Sequence, residues 1–145
     1  MAIANAIVSC PSLSYLSLSR NKIGDEGAKA FAEMLEENKS LKQLYLGGDS
    51  GGNEISDKGA IMVAESLFGN TTLKTLGLSR NPLITNESVP FLRRMIESSC
   101  IKELKLVETS ISEENIDSLT ALCQLPMEER ALPIHSSSKS ATKIA

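Results

Sequence analysis

The residue types that carry covalent or metal chemistry are present in this chain but not assembled. His135, the single histidine, stands in a polar stretch with no Cys, Asp or Glu at ligand spacing. No Ser or Cys shares a recurring frame with a base that would activate it as a nucleophile. Cys10, Cys100 and Cys123 form an odd set without a Cys-x-x-Cys pair or metal spacing. The run Gly47-Gly48-Asp49-Ser50-Gly51-Gly52 has the glycines of a phosphate cradle, yet no Lys-Ser/Thr follows it and no helix pattern begins directly after it. Asp49, Asn53 and Asp57 miss the alternate spacing of a calcium loop. The expectation is therefore no catalytic residue, no metal and no cofactor.

Contact chemistry is better represented. Tyr15 and Tyr45 are the only tyrosines, and each lies in a short alternating stretch beside polar residues. Arg20 and Arg80 hold equivalent positions shortly after two such stretches. Tyr and Arg often anchor protein interfaces, because they bury area with little entropy loss and keep a polar handle. The competing reading is a solvated surface that happens to alternate.

The elements that must position these residues come from a repeat. The frame Leu-x-x-Leu-x-Leu, then a polar residue and an aliphatic one, occurs at Leu13, Leu16, Leu18, Asn21, Ile23; at Leu41, Leu44, Leu46, Asn53, Ile55; at Leu73, Leu76, Leu78, Asn81, Leu83; and at Ile101, Leu104, Leu106, Thr109, Ile111. A recurrence of 28 to 32 residues belongs to stacked units. Leu-x-Leu is a strand with its leucines inward. Beyond it the apolar period becomes helical, as in Ala28, Phe31, Ala32, Leu35 and in Ala60, Val63, Ala64, Leu67. Each unit reads as strand, turn, helix.

Outward strand positions follow from the alternation: Tyr15, Ser17, Ser19; Gln43, Tyr45, Gly47; Thr75, Gly77, Ser79; Glu103, Lys105, Val107. The expected partner-binding set is Tyr15, Arg20, Gln43, Tyr45, Arg80, Glu103 and Lys105. Asn21, Asn53 and Asn81 are expected to form a structural ladder, each amide bonding its own and the adjacent turn; Thr109 is too short and breaks it. Asp25, Asp57, Thr85 and Ser112 are expected to cap their own helices. Asn38 and Gly69-Asn70 are expected at left-handed helix exits. The glycine run lengthens one rim loop, either as a flexible finger or as a tolerated insertion.

Residues 13–28 and the second copy Ile55-Ser56-Asp57-Lys58-Gly59-Ala60 resemble the ribonuclease-inhibitor-like class of leucine-rich repeats, with NOD-like-receptor-type repeats among its members. The resemblance covers about residues 1–123. It implies an α/β leucine-rich-repeat solenoid, with parallel strands on the concave face and helices on the convex face. It implies a protein-interaction module within a larger cytoplasmic NOD-like-receptor-type protein. The alternative it offers is an enzyme regulator of the Ran GTPase activator type, acting through Arg20 or Arg80.

The expected organisation is 1–10 as the helix of a truncated preceding repeat, 11–125 as four repeats, and 126–145 as a capping segment and disordered tail. In the first segment, Ile3 and Ile7 match Phe31 and Leu35. Such a chain leaves a parallel strand edge open at its N-terminal end, where association is expected. Net charge −3 and 3% aromatic residues give no footprint for nucleic acid. No apolar run of about 18 residues reads as a membrane span. Ile7-Val8-Ser9-Cys10 looks like a lipoprotein cleavage box, but its leader lacks Lys, Arg and a long apolar region. The cysteines are expected as buried thiols of a reducing compartment, and the glycosylation triplets at Asn38, Asn70 and Asn86 as silent.

Overall fold

The structure is a computed structural model, described here for residues 2–131; the tail from 132, with His135, lies outside the described residues. The elements in order are α1 (Ala2–Val8), β1 (Tyr15–Ser17), α2 (Asp25–Glu37), β2 (Gln43–Tyr45), α3 (Asp57–Ser66), β3 (Thr75–Gly77), a 3₁₀ turn (Asn86–Ser88) entering α4 (Val89–Ser98), β4 (Glu103–Lys105), α5 (Glu113–Gln124) and α6 (Met127–Arg130). The strands form one parallel sheet in the order β1-β2-β3-β4. Leu16, Leu44, Leu76 and Leu104 stand opposite one another across it.

Those leucines point away from the exposed sheet face into a core shared with the helices. Leu44, Leu46, Ile55, Val63, Leu67, Leu76 and Leu78 are fully buried. Each is worth roughly 1.5–3 kcal/mol, which a strand-helix unit can collect only by stacking on its neighbours. One frame position differs from the sequence expectation: Leu83 is 56% exposed and Ile84 is fully buried. Pro82 inserts one residue into that turn, so the aliphatic side chain that turns inward is the next one along.

Three side-chain ladders tie the units together. In the first, Asn53 Oδ1 accepts from the N–H groups of Asn21 (2.9 Å) and Ile23 (3.0 Å), while its Nδ2 donates to the carbonyls of Leu18 and Leu46. Asn81 Oδ1 likewise accepts from Asn53 and Ile55, and its Nδ2 donates to Leu46, Leu78 and Ser79. Asn21 is exposed and its Nδ2 donates to the Ser19 carbonyl. The Thr109 hydroxyl donates to Leu106 of its own turn.

The second ladder corrects the expected helix caps. The N-cap residues of α2 and α3 are Gly24 and Ser56. Asp25 reaches forward one repeat, accepting from Ser56 N–H (2.9 Å), Ser56 Oγ–H (2.6 Å) and Gly59 N–H (3.1 Å). Asp57 does the same to Thr85, at 2.8 and 2.7 Å, and Asn86 accepts from Ser112 N–H. A carboxylate at the first helical residue points away from its own orphan amides, whereas the next helix start lies alongside. Only Thr85 among the four expected caps accepts a bond from its own following turn, at Glu87 N–H; Ser112 holds the cap position without one. Partial burial pushes the Asp25 carboxyl up, but the bonds from Ser56 and Gly59, with Lys58 nearby, outweigh it and hold the group below its ordinary 3.8.

In the third ladder, buried Asn38 and Asn70 turn the chain from helix into strand. Asn38 Oδ1 accepts from Ser40 and Leu41, and Asn70 Oδ1 from Thr72 and Leu73. Asn38 is extended (φ −72°, ψ 127°), not left-handed; Gly69 takes the left-handed position. With 4% and 7% exposure, neither asparagine offers its amide to glycosylation in the folded chain.

The far end is closed by Arg130, which is 5% exposed. Its guanidinium donates to the carbonyls of Leu125, Ile96, Ser99, Ile101 and Cys123. Cys100 and Cys123 are buried, but Cys10 is exposed, because it lies in the link between α1 and β1 at the open end.

Candidate functional site

The outward strand positions line one concave surface, and its centre is a row of side chains crossing the strands. The rings of Tyr15 on β1 and Tyr45 on β2 lie 5.6 Å apart at 44°. On the far side of Tyr45, Lys105 of β4 places its Nζ 5.8 Å from the ring centroid. β3 lies between them and is covered: Thr75, Gly77 and Ser79 are all buried. The row bridges this strand because Gly77 has no side chain there. A Cβ on Gly77 would sit 2.5 Å from Tyr45 Cδ1 and 2.8 Å from the Gly47 carbonyl oxygen.

Polar contacts hold the row in place. The Tyr45 hydroxyl donates to Gln43 Oε1 at 3.3 Å. Lys105 Nζ stands 3.6 Å from Glu103 Oε1, and Glu103 Oε2 accepts from the Thr75 hydroxyl at 3.4 Å. These pairs are partly exposed, so they orient side chains more than they stabilise the fold. Beside the tyrosines is a shallow hollow of about 280 Å³, lined by Tyr15, Tyr45, Lys105, three serines, Gly48 and Asp49.

The glycine run forms the hollow's wall. Gly48 and Gly51 exchange backbone hydrogen bonds of 3.1 and 2.9 Å, making a tight hairpin. Arg80 Nη1 donates to the Asp49 carbonyl at 2.8 Å. A Cβ on Gly51 would lie 2.4 Å from Arg20 Cγ, and Gly51 also has φ +135°, which a side chain resists. The loop is thus a folded hairpin braced by two arginines.

Arg20, Arg80 and Glu108 occupy one equivalent place, each with positive φ (63°, 58° and 56°). That shared backbone turn throws their side chains onto the rim. Arg80 Nε is 3.2 Å from Glu108 Oε1. Of the seven residues expected on the contact surface, Tyr15, Gln43, Tyr45, Glu103 and Lys105 meet on the sheet, whereas Arg20 and Arg80 brace the rim loop.

The sequence reading listed Gly77 only as one outward strand position and Asp49 and Ser50 only as part of a lengthened rim loop, without assigning them to the contact set. A glycine inside a strand pattern marks close approach by another group, and that signal was available at Gly77. The positions of Asp49 and Ser50 depend on how the hairpin folds back. Among the described residues, no group of three His, Cys, Asp or Glu could hold a metal, and no helix is long and apolar enough to cross a membrane.

The Leucine Rich repeat family model matches residues 9–32 and 69–89. No curated protein matches the sequence significantly. Among solved structures, the chain is similar to Leiomodin-1 Actin-Binding Site 2 (ABS2), with a TM-score of 0.64 and 16% identity, covering 95% of each chain. At that identity the likeness speaks for the fold alone. The repeated frame, the four-stranded parallel sheet and these matches identify the chain's fold as an α/β leucine-rich-repeat solenoid.

Proposed function

We propose that this chain is a non-enzymatic protein-interaction module that holds a protein partner on its concave sheet. The observation that carries this reading is the Tyr15–Tyr45–Lys105 row, in which two aromatic rings and a cation stand together over a buried strand. Such amphipathic anchors give contact area and polar direction at low entropic cost. The similar solved structure is named as an actin-binding site, which is consistent with a protein partner. The reading assigns no nucleic-acid or membrane contact.

Within this proposal the module works in the cytoplasm, as part of a NOD-like-receptor-type protein. Free thiols at Cys10, Cys100 and Cys123 fit a reducing compartment. Regulation of a GTPase through a rim arginine is the weaker alternative. Arg80 is already engaged by Glu108 and the Asp49 carbonyl, and Arg20 lies against Gly51.

Affinity capture with the chain as bait tests the reading. Tyr15→Ala with Tyr45→Ala should weaken retention of the specific partner by about thirtyfold, the equivalent of about 2 kcal/mol, with little change in melting. The convex pair Lys29→Ala with Glu33→Ala, exposed on α2, should leave capture unchanged. Loss of binding by the convex pair alone would place the contact on the helices.

A further inference from the structure

Charge is sorted between the two faces of the solenoid. Helices α2–α6 with the 3₁₀ turn carry fourteen acidic and five basic residues, whereas the strands and their connecting loops carry eight basic and four acidic. The chain as a whole is acidic, at net −3, yet its strand side is cationic. A field of this kind steers and orients charged partners.

The cations of the strand side are not evenly spread. Beyond the C-terminal end of each strand the signs are mixed: Arg20, Lys22 and Arg80 stand with Asp49, Glu54 and Glu108, and Arg80 pairs with Glu108. At the opposite rim, where the chain enters the strands, three successive units place a lysine immediately before the strand: Lys42, Lys74 and Lys102. Lys74 N–H donates to the Lys42 carbonyl at 2.7 Å, and Lys102 N–H to the Lys74 carbonyl at 2.8 Å. The three therefore form one column that continues the sheet's register, with neighbours about 4.8 Å apart.

Sheet stability does not account for this column, since like charges opposite one another on neighbouring strands oppose pairing. Nor does the chain neutralise it. Among the described residues the ion pairs are Arg80–Glu108 and Lys105–Glu103. Glu103, the acidic residue next to Lys102, is engaged by Lys105 and by the Thr75 hydroxyl. The flanking stretches 1–24 and 131–145 contain no Asp or Glu. Lys42 and Lys102 are exposed and Lys74 is half-buried.

We propose, building on the concave-face reading, that this column docks an acidic segment of the protein partner, a run of Asp or Glu residues laid along Lys42, Lys74 and Lys102 at the edge of the sheet. The column spans about 10 Å, the reach of three or four extended residues, so a short acidic run fills it. A longer polyanion such as a nucleic acid extends past it into the field of the acidic helices.

The probe is a fluorescein-labelled octaglutamate peptide, titrated by anisotropy against the full chain at low ionic strength, where exposed charges are least screened. It should bind, and Lys42→Gln with Lys102→Gln should weaken it by about tenfold without lowering the melting temperature. Lys29→Gln with Lys58→Gln, exposed on α2 and α3, makes the same change in net charge and should leave the affinity nearly unchanged. No binding of octaglutamate, or an equal loss in both variant pairs, overturns the proposal. So does binding of a labelled octathymidylate that is at least as tight and lost with the same two lysines, since the occupant is then a nucleic acid. Neither lysine lies in the Tyr15–Tyr45–Lys105 row, so failure here leaves the tyrosine capture experiment to decide the concave-face reading by itself.

Discussion

The ring of Tyr45 lies in the space that a side chain on Gly77 would fill. This contact lets a residue of β2 roof over β3 and approach Lys105 on β4. Gly77→Ala would force the ring aside and also press on the Gly47 carbonyl oxygen, which has less freedom to move. The expected cost is about 1–3 kcal/mol, as for other overpacked sites, with partner capture reduced as well. A variant within about 0.5 kcal/mol of wild type by denaturant melting, the range of an ordinary surface change, would show that the ring does not rest there.

Asn81 and Asn86 provide a paired comparison. Asn81 is fully buried and serves two N–H donors and three carbonyls. Asn86 is exposed and accepts from Ser112 and Asn115. Asn81→Ala should destabilise by about 2 kcal/mol or more, because buried backbone groups lose their partner. Asn86→Ala should cost less than about 1 kcal/mol, since water replaces its bonds. Equal melting shifts would refute the ladder's energetic role.

Asp25 gives the chain an acid-sensitive joint. Its folded pKa is depressed below 3.8, so its stabilising contribution is complete above that value and lost as pH falls through the folded one. Between about pH 5 and pH 2, wild type should lose more stability than Asp25→Asn, whose acid response lacks this group. Identical acid-unfolding curves for the two proteins would be the contrary result.

The thiols should separate by reactivity. Cys10 is exposed while Cys100 and Cys123 are buried; burial also pushes the Cys123 thiol up, with Arg130 only partly offsetting it. A colorimetric thiol reagent at neutral pH should titrate one group per native chain. Cys10→Ser should remove that signal, and denaturant should restore two. Rapid reaction of two thiols in the native variant would mean that the C-terminal end opens readily.

Arg130→Lys should fail to restore what Arg130→Ala removes. The guanidinium's fork reaches five carbonyls from α4, the α4–β4 link and the end of α5, whereas an ammonium offers three donors at one point. Both variants should expose the Cys123 thiol sooner in denaturant than wild type does. Full rescue by Lys would show that charge, not donor geometry, closes this end.

Much of the fold was legible in the sequence because it repeats. The leucine spacing encodes strand and helix locally, and the recurrence states that each unit is completed by its neighbour, so sheet order and core follow from Leu16, Leu44, Leu76 and Leu104 alone. The alternation also told which strand residues face outward. What tertiary structure alone decided lies between units. Asp25 and Asp57 bond the residue that begins the following turn of helix instead of capping their own, Ile84 replaces Leu83 in the core, and Arg130 turns inward at the far end. The concave row was decided the same way: Tyr15, Tyr45 and Lys105 are distant in sequence, and they meet only because Gly77 leaves the strand between them bare. Local pattern specifies how a side chain faces, but stacking distance and register determine which neighbour it reaches.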